Sequence, residues 1–502
     1  MEIGLQLDQV RRRAVVSMTT RALRGRWLYY GVAATGLVLH LALALPLYQW
    51  YDRLLAWIPL VIFLYLLRQY VQQPYKSIPI LVLVALQIYI FFSVPQFSQE
   101  DLNLNMGEVY APSMNGVTLA MVLTVGGELV FIFAYHVAAI LTKRLSGALY
   151  QITETPNLNW IWVTKIYSVL ALIVYMTAAL TVSYFPVSIR YLMTQLFNVY
   201  LALAVLLYIG HSFNRRRLIV IAYLLAIGMA FVGLIQGMLT AIVGPFVLLF
   251  LARWVWGKVF DFRWAVLAVL AILFINPVKN EFRLLPSWLN QDVSSMDLVQ
   301  DRLRDWSLSF EKVWVEGKAD RSVYMSTASR ASDLLSFTQT IDLVPSVIPY
   351  NEGDGMDDAM LFWIPRILWP SKGSTTDLIY NRYALTFGYL APEDVGKTAV
   401  GISVFAEGYW NYGTYGVFAF LFVAGFILGT LFGNNGRTGQ VSTLVCMVYV
   451  APTILVLQAL SVTLASLPSF LIGITIALRG LSLASRAVKP GVFLTRVRAR
   501  HR

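Results

Sequence analysis

Long apolar stretches alternate with short polar ones along the chain, and the apolar stretches are continuous rather than alternating every second residue. Several reach roughly 20 residues, enough for a helix to cross a hydrocarbon core about 30 Å thick. A membrane barrel would instead show short alternating segments. The pattern predicts an all-α polytopic membrane protein with about twelve transmembrane helices, at 27–48, 54–68, 78–95, 117–141, 164–184, 191–209, 218–235, 239–252, 264–276, 413–432, 441–460 and 465–480.

One long polar segment, 277–412, separates spans nine and ten. Met296, Val299, Leu303, Trp306, Phe310 and Val313 recur within it at helical spacing, predicting an amphipathic helix over about 295–315. A second helix is expected over about 325–340, with Leu334 and Leu335 on its buried side. Pro345, Pro349 and the stretch YNEGDGMDD then break regularity. AMLFWIPRILWP, 359–370, is apolar but too short to span and carries two prolines, which suits a re-entrant or interfacial segment. No internal repeat is visible.

Composition agrees with this class. Hydrophobic residues make up 58% of the 502 and charged residues 13%, against about 25% charged in a soluble domain. Arg11–Arg13, Arg21, Arg24 and Arg26 precede a first span too long for a cleavable signal. With the N-terminus in the cytoplasm, the inside segments hold 25 of the 39 basic residues, and the short outside loops hold two, Arg53 and Arg190. The expected organisation is therefore a basic cytoplasmic N-terminus (1–26), nine spans (27–276), a large helical extracytoplasmic loop (277–412), three spans (413–480) and a basic cytoplasmic tail (481–502). The net charge of +12 then follows from the positive-inside bias and attraction to anionic lipid, without nucleic acid. The single cysteine, Cys446, excludes an internal disulfide.

The nine-to-three division argues against a transporter built from matched halves. Within the spans, Glu128 (in TVGGELVF) and His136 are the main ionisable residues; they lie near one helix face and are either functional or paired within the bundle. The outer segment carries 12 basic and 18 acidic residues. Five of the basic residues, Arg283, Arg330, Arg366, Lys372 and Arg382, form a set of cations suited to a lipid-linked pyrophosphate, or else ordinary ion pairs, as Arg330 could make with Asp333. Glu407 stands alone among rings in FAEGYWNYGTYG, 405–416. A carboxylate there could activate an acceptor hydroxyl, with Tyr409, Trp410 and Asn411 facing sugars. The same aromatics also suit an interfacial belt. EGDGMDD lacks the spacing of a calcium loop, and no nucleotide-binding glycine loop follows a strand.

SRASDLLSF (329–337), FWIPRILWPSK (362–372) and GISVFAEGYWNYGTYGVFAFLFVAGFILG (401–429) resemble the bacterial O-antigen and exopolysaccharide repeat-unit polymerases of the Wzy type. The resemblance is specific over about 329–432; Gly373 follows Lys372 where many members have proline. It implies a GT-C-like, metal-free and cofactor-free glycosyltransferase in the bacterial inner membrane. Its substrates would be undecaprenyl-pyrophosphate-linked donor and acceptor glycans in the lipid bilayer, with a chain-length regulator and a flippase as possible partners. By carry-over, Arg366 and Lys372 hold pyrophosphate, with Arg283, Arg330 and Arg382 as further candidates, and Arg366 and Glu407 serve catalysis. Glu407 would deprotonate or position the acceptor hydroxyl, or hold an arginine. The alternatives are an O-antigen ligase, which typically depends on an outer-loop histidine that 277–412 lacks, a lipid-linked oligosaccharide flippase, or a non-catalytic subunit of a polysaccharide complex.

Overall fold

The computed structural model describes residues 29–31, 33–34, 36, 38, 50–72, 80–94, 113–142, 160–180, 193–194, 196–256, 274–283, 285–289, 296–316, 333–361, 364, 369, 380–392, 395, 401–433, 448 and 459–487. Among these residues the chain forms helices and no sheet. The main helices are α1 (Trp50–Gln72), α2 (Ile80–Ile88, continued by a π-turn Tyr89–Ser93), α3 (Met114–Leu141), α4 (Trp160–Leu180), α5 (Val199–Ser212) and α6 (Arg216–Ile235). They are followed by α7 (Leu239–Val255), α8 (Met296–Phe310, continued by a π-turn Glu311–Val315), α9 (Asp333–Leu343), α10 (Val404–Phe432) and α11 (Leu460–Ala487).

Five of these are long and apolar enough to cross a membrane: α3, Ile161–Ala178 of α4, α6, α10 and Leu460–Ser485 of α11. Four more apolar helices are shorter: Leu54–Tyr70, Ile80–Ser93, Val199–His211 and Leu239–Val255. The expected spans 27–48, 264–276 and 441–460 lie wholly or largely outside the described residues. The last helix begins at Leu460, five residues before the expected span at 465, because side-chain bonds fix its first turn, as shown below.

The central seam joins α3 and α10. Both start at a serine cap: Gly116 N–H donates to Ser113 Oγ (2.8 Å) and Ala406 N–H to Ser403 Oγ (3.3 Å). Leu421 meets Gly127, Gly425 meets Phe131, Gly429 meets Tyr135 and Gly433 meets Ala139, so the two helices run in the same direction. A Cβ at Gly425 or Gly429 would collide with the carbonyl oxygen of Phe131 or Tyr135. Glycines spaced by four thus bring the backbones together, the usual means of packing helices where lipid supplies no hydrophobic drive.

The first turns of α10 do not continue this direction. Tyr412 (φ −143°, ψ 26°) and Gly413 (φ 60°, ψ −145°) leave helical geometry, and the latter conformation suits glycine almost alone. A Cβ on Gly408 would lie 2.7 Å from the carbonyl oxygen of Gly416 and 2.9 Å from Val417 Cα. Residues eight apart in a straight helix are separated by about 12 Å along the axis. The arm 404–411 therefore folds back on 414–432 as a helical hairpin, with Phe405 returning to the level of Leu421 beside Gly127. Where sequence suggested the end of a loop, the chain makes a helical arm folded back on the helix that follows it. Irregular backbone of this kind is tolerated at membrane depth when protein surrounds it.

The outer segment joins this core. In α9, Leu334, Phe337 and Ile341 are buried, and Phe337 packs against Phe92 and Phe405 at ring separations of 6.4 and 5.8 Å. Ser113 N–H donates to Asp342 Oδ2 (2.8 Å), fixing the end of α9 to the start of α3. The amphipathic pattern of 295–315 becomes α8 and its π-turn, whose Trp306 and Val313 bury against Val278 and Phe282.

Candidate functional site

The hairpin arm carries its polar residues toward α11. Glu407 is buried, and its carboxylate accepts the Leu460 N–H (2.5 Å), the Ser461 N–H (3.3 Å) and the Ser461 hydroxyl. Those are donors of the first turn of α11, which no intrahelical acceptor can satisfy. A negative charge at a helix N-terminus also complements the helix dipole. Glu407 is thus the cap that starts α11.

Asn411, one turn further along the arm, closes the other side. Its Nδ2 donates to the Glu407 carbonyl (2.8 Å). Its Oδ1 accepts from Gly353 N–H (2.8 Å) and Asn351 Nδ2 (2.9 Å), while Asn351 N–H donates to the Trp410 carbonyl (2.9 Å). These bonds hold a tight turn whose Glu352, Gly353 and Gly355 all have positive φ. The turn projects Asp354 toward Arg382, with which it makes an ion pair. The Arg382 guanidinium also lies over the Trp410 ring, 5.9 Å from its centroid. Asp354 is largely exposed, and the hydrogen bond and charge of Arg382 hold its carboxyl below the usual carboxylate range.

Asp354, Arg382, Glu407, Trp410, Asn411 and Ser461 line one open cleft. Four side chains singled out in the sequence therefore meet: Arg382, Glu407, Trp410 and Asn411. Tyr409 is on the opposite face of the arm, where its ring meets Phe337 at 6.2 Å. Arg283 is elsewhere: it donates to the Gly237 carbonyl (3.0 Å) and lies over Trp288 at 4.9 Å. Arg330, Arg366 and Lys372 lie outside the described residues. Sequence reasoning missed Asp354 and Ser461. The glycines flanking Asp354 were a usable signal for a tight turn; nothing near Ser461 marks it.

Residues 131–436 match the family model described as "Domain of unknown function (DUF8712)". The chain belongs to that family. No curated protein and no solved structure matches it. The matched segment contains the C-terminal part of α3 from Phe131, the hairpin and Arg382, and ends before α11.

Chemically, the cleft offers one guanidinium whose counter-ion is solvent-exposed, an indole face and an amide, above a carboxylate committed to a helix end. A planar fork beside an aromatic wall suits an anionic group attached to a ring-shaped ligand.

Proposed function

We propose that this protein is an integral membrane glycosyltransferase that polymerises undecaprenyl-pyrophosphate-linked oligosaccharide repeat units at the outer face of the bacterial inner membrane. The observation that carries the reading is the meeting of Arg382, Trp410 and Asn411 in one cleft against the folded-back arm of a membrane helix. In the reaction, the bond between the donor's anomeric carbon and its phosphate oxygen breaks. A new bond forms from that carbon to an acceptor hydroxyl oxygen, whose proton is released. Pyrophosphate charge builds on the leaving group as the bond breaks, and a guanidinium already in place stabilises it without reorganisation. Arg382 takes that part, sharing it with Arg366 and Lys372 as the sequence resemblance implies. The phosphate replaces Asp354, an exposed counter-ion that gives up little on release. Trp410 and Asn411 meet the sugar. Glu407 is a positioning residue here, since its acceptor sites are taken up by α11.

Deletion of the gene in a producing strain tests this. Single lipid-linked repeats should accumulate on the outer leaflet. Full-length lipid-linked polymer would identify a ligase instead, and repeats trapped on the cytoplasmic leaflet a flippase.

A further inference from the structure

The cleft leaves one buried acid unexplained. Glu128 is the fifteenth residue of the 28-residue α3, about 21 Å along the axis from the helix start. It has no exposed surface, and neither carboxylate oxygen has a hydrogen-bond partner. Its neighbour Gly127 abuts the Phe405 ring of the hairpin arm. Phe405 in turn packs on Phe92 at 4.6 Å. Ser93, next to Phe92, is also without exposed surface, and its hydroxyl is likewise unpartnered. Glu128 and Ser93 are thus two unsatisfied polar groups in the helix core, each next in sequence to a residue packed on Phe405.

Among the described side chains, the ionisable groups on elements packed against α3 are directed elsewhere. Glu407 is bonded to α11, and Asp342 to Ser113 at the helix start. Arg68 on α1 is exposed, as is His136 on α3 itself. Asp333 lies beside Tyr383. Tyr89, on the π-turn, belongs to the cluster that packs Ile132, one turn beyond Glu128, and a phenol is uncharged at neutral pH. An ionised carboxylate with no cation and no donor is the costliest state a side chain can adopt in this setting, and taking up a proton removes that cost.

We propose that Glu128 is a proton-binding site in the membrane interior, occupied at neutral pH, so that α3 carries a carboxylic acid at its midpoint. The proposal does not depend on the glycosyltransferase reading, because it concerns the seam behind the cleft and not the cleft.

Infrared spectra of the full-length protein in lipid vesicles at pH 7, compared with those of Glu128→Gln, test it. The difference should contain the carbonyl band of a protonated carboxylic acid, shifted in heavy water and absent from the variant. Loss of a carboxylate band instead would overturn the proposal. Should the variant fail to fold, carbodiimide treatment of the unaltered protein reads the same state. The carboxyl oxygen adds to the central carbon of the reagent, and the carboxyl proton passes to a reagent nitrogen, so a proton-bearing carboxyl in an apolar setting reacts. An adduct on the peptide bearing Glu128 at pH 7 is expected; an unmodified peptide overturns the assignment.

Discussion

Two arginine–tryptophan clusters flank the membrane helices, and they use charge in opposite ways. At the C-terminal end of α6, Arg302 donates to the Ile235 carbonyl (3.2 Å), Trp306 Nε1 to the Leu234 carbonyl (2.8 Å) and Arg283 to the Gly237 carbonyl (3.0 Å). Both guanidiniums also lie over Trp288, at 4.9 and 5.7 Å. These cations satisfy carbonyls that a helix end strands, and they complement its dipole. In the cleft the helix end is the opposite one, the N-terminus of α11, and the opposite charge, Glu407, caps it. The cation there, Arg382, is left to an exposed aspartate and an indole face. A charge bonded to a helix end is spent on architecture; a charge facing a cleft with a replaceable partner is available to a ligand.

The largest expected effect separates the two clusters by activity. Arg382→Ala should lower polymer formation by about 100-fold or more, the scale of losing one preorganised charge contact to a transition state. Its thermal midpoint in detergent should barely move, because an exposed ion pair contributes about 0–1 kcal/mol. Arg302→Ala should do the reverse, with activity per folded molecule retained. Equal activity losses in the two variants would erase the distinction. Next in size is Glu407→Ala, which strands two backbone donors and one hydroxyl, each at a cost of about 1–3 kcal/mol. A lowered melting midpoint, partly restored by adding Ser461→Ala, is the expected readout; an unchanged midpoint would remove Glu407 from the architecture. Arg302→Ala itself should lose about 1.5–3 kcal/mol, the range for a hydrogen bond made by a charged group, read from the same melts.

How far the sequence reveals these clusters depends on who the partners are. Apolar runs mark α3, α6 and α10 because hydropathy is a property of the segment itself. The six-residue pattern from Met296 to Val313 marks α8 for the same reason. The hairpin arm escapes notice because its evidence is tertiary: Gly408 against Gly416, and a glycine-only conformation at Gly413. Glu407 stands out in sequence as a lone carboxylate among rings, yet its partners are backbone N–H groups 53 and 54 positions away, which no residue type announces. Arg283 and Arg382 look alike on paper. They part company because Arg283 meets a carbonyl 46 positions back, whereas Arg382 meets a side chain 28 positions back.

The smallest effect concerns pH, and it gives the two carboxylates around Arg382 and its neighbour Tyr383 opposite signs. Arg382 holds the exposed Asp354 below its ordinary range, so the ion pair adds stability that is complete above about pH 4, the ordinary aspartate value, and is lost as pH falls through the lowered one. Asp333, at the start of α9 and near Tyr383, is pushed up to about 7 by burial. The folded protein then binds that proton more tightly than the unfolded chain. Asp333 therefore contributes stability that is present below about pH 4 and lost as pH rises toward 7. Melting midpoints of Asp354→Asn and Asp333→Asn, measured against the unaltered protein from pH 3 to pH 8, should diverge accordingly. Asp354→Asn should differ slightly above pH 4 and converge below it. Asp333→Asn should gain on the unaltered protein as pH rises from about 4 to 7, where the unfolded chain ionises and the folded one does not, and level off above 7. Parallel curves for the two variants would mean that Asp354 and Asp333 share one electrostatic environment, and the contrast between an exposed counter-ion and an enclosed acid beside the cleft would fail.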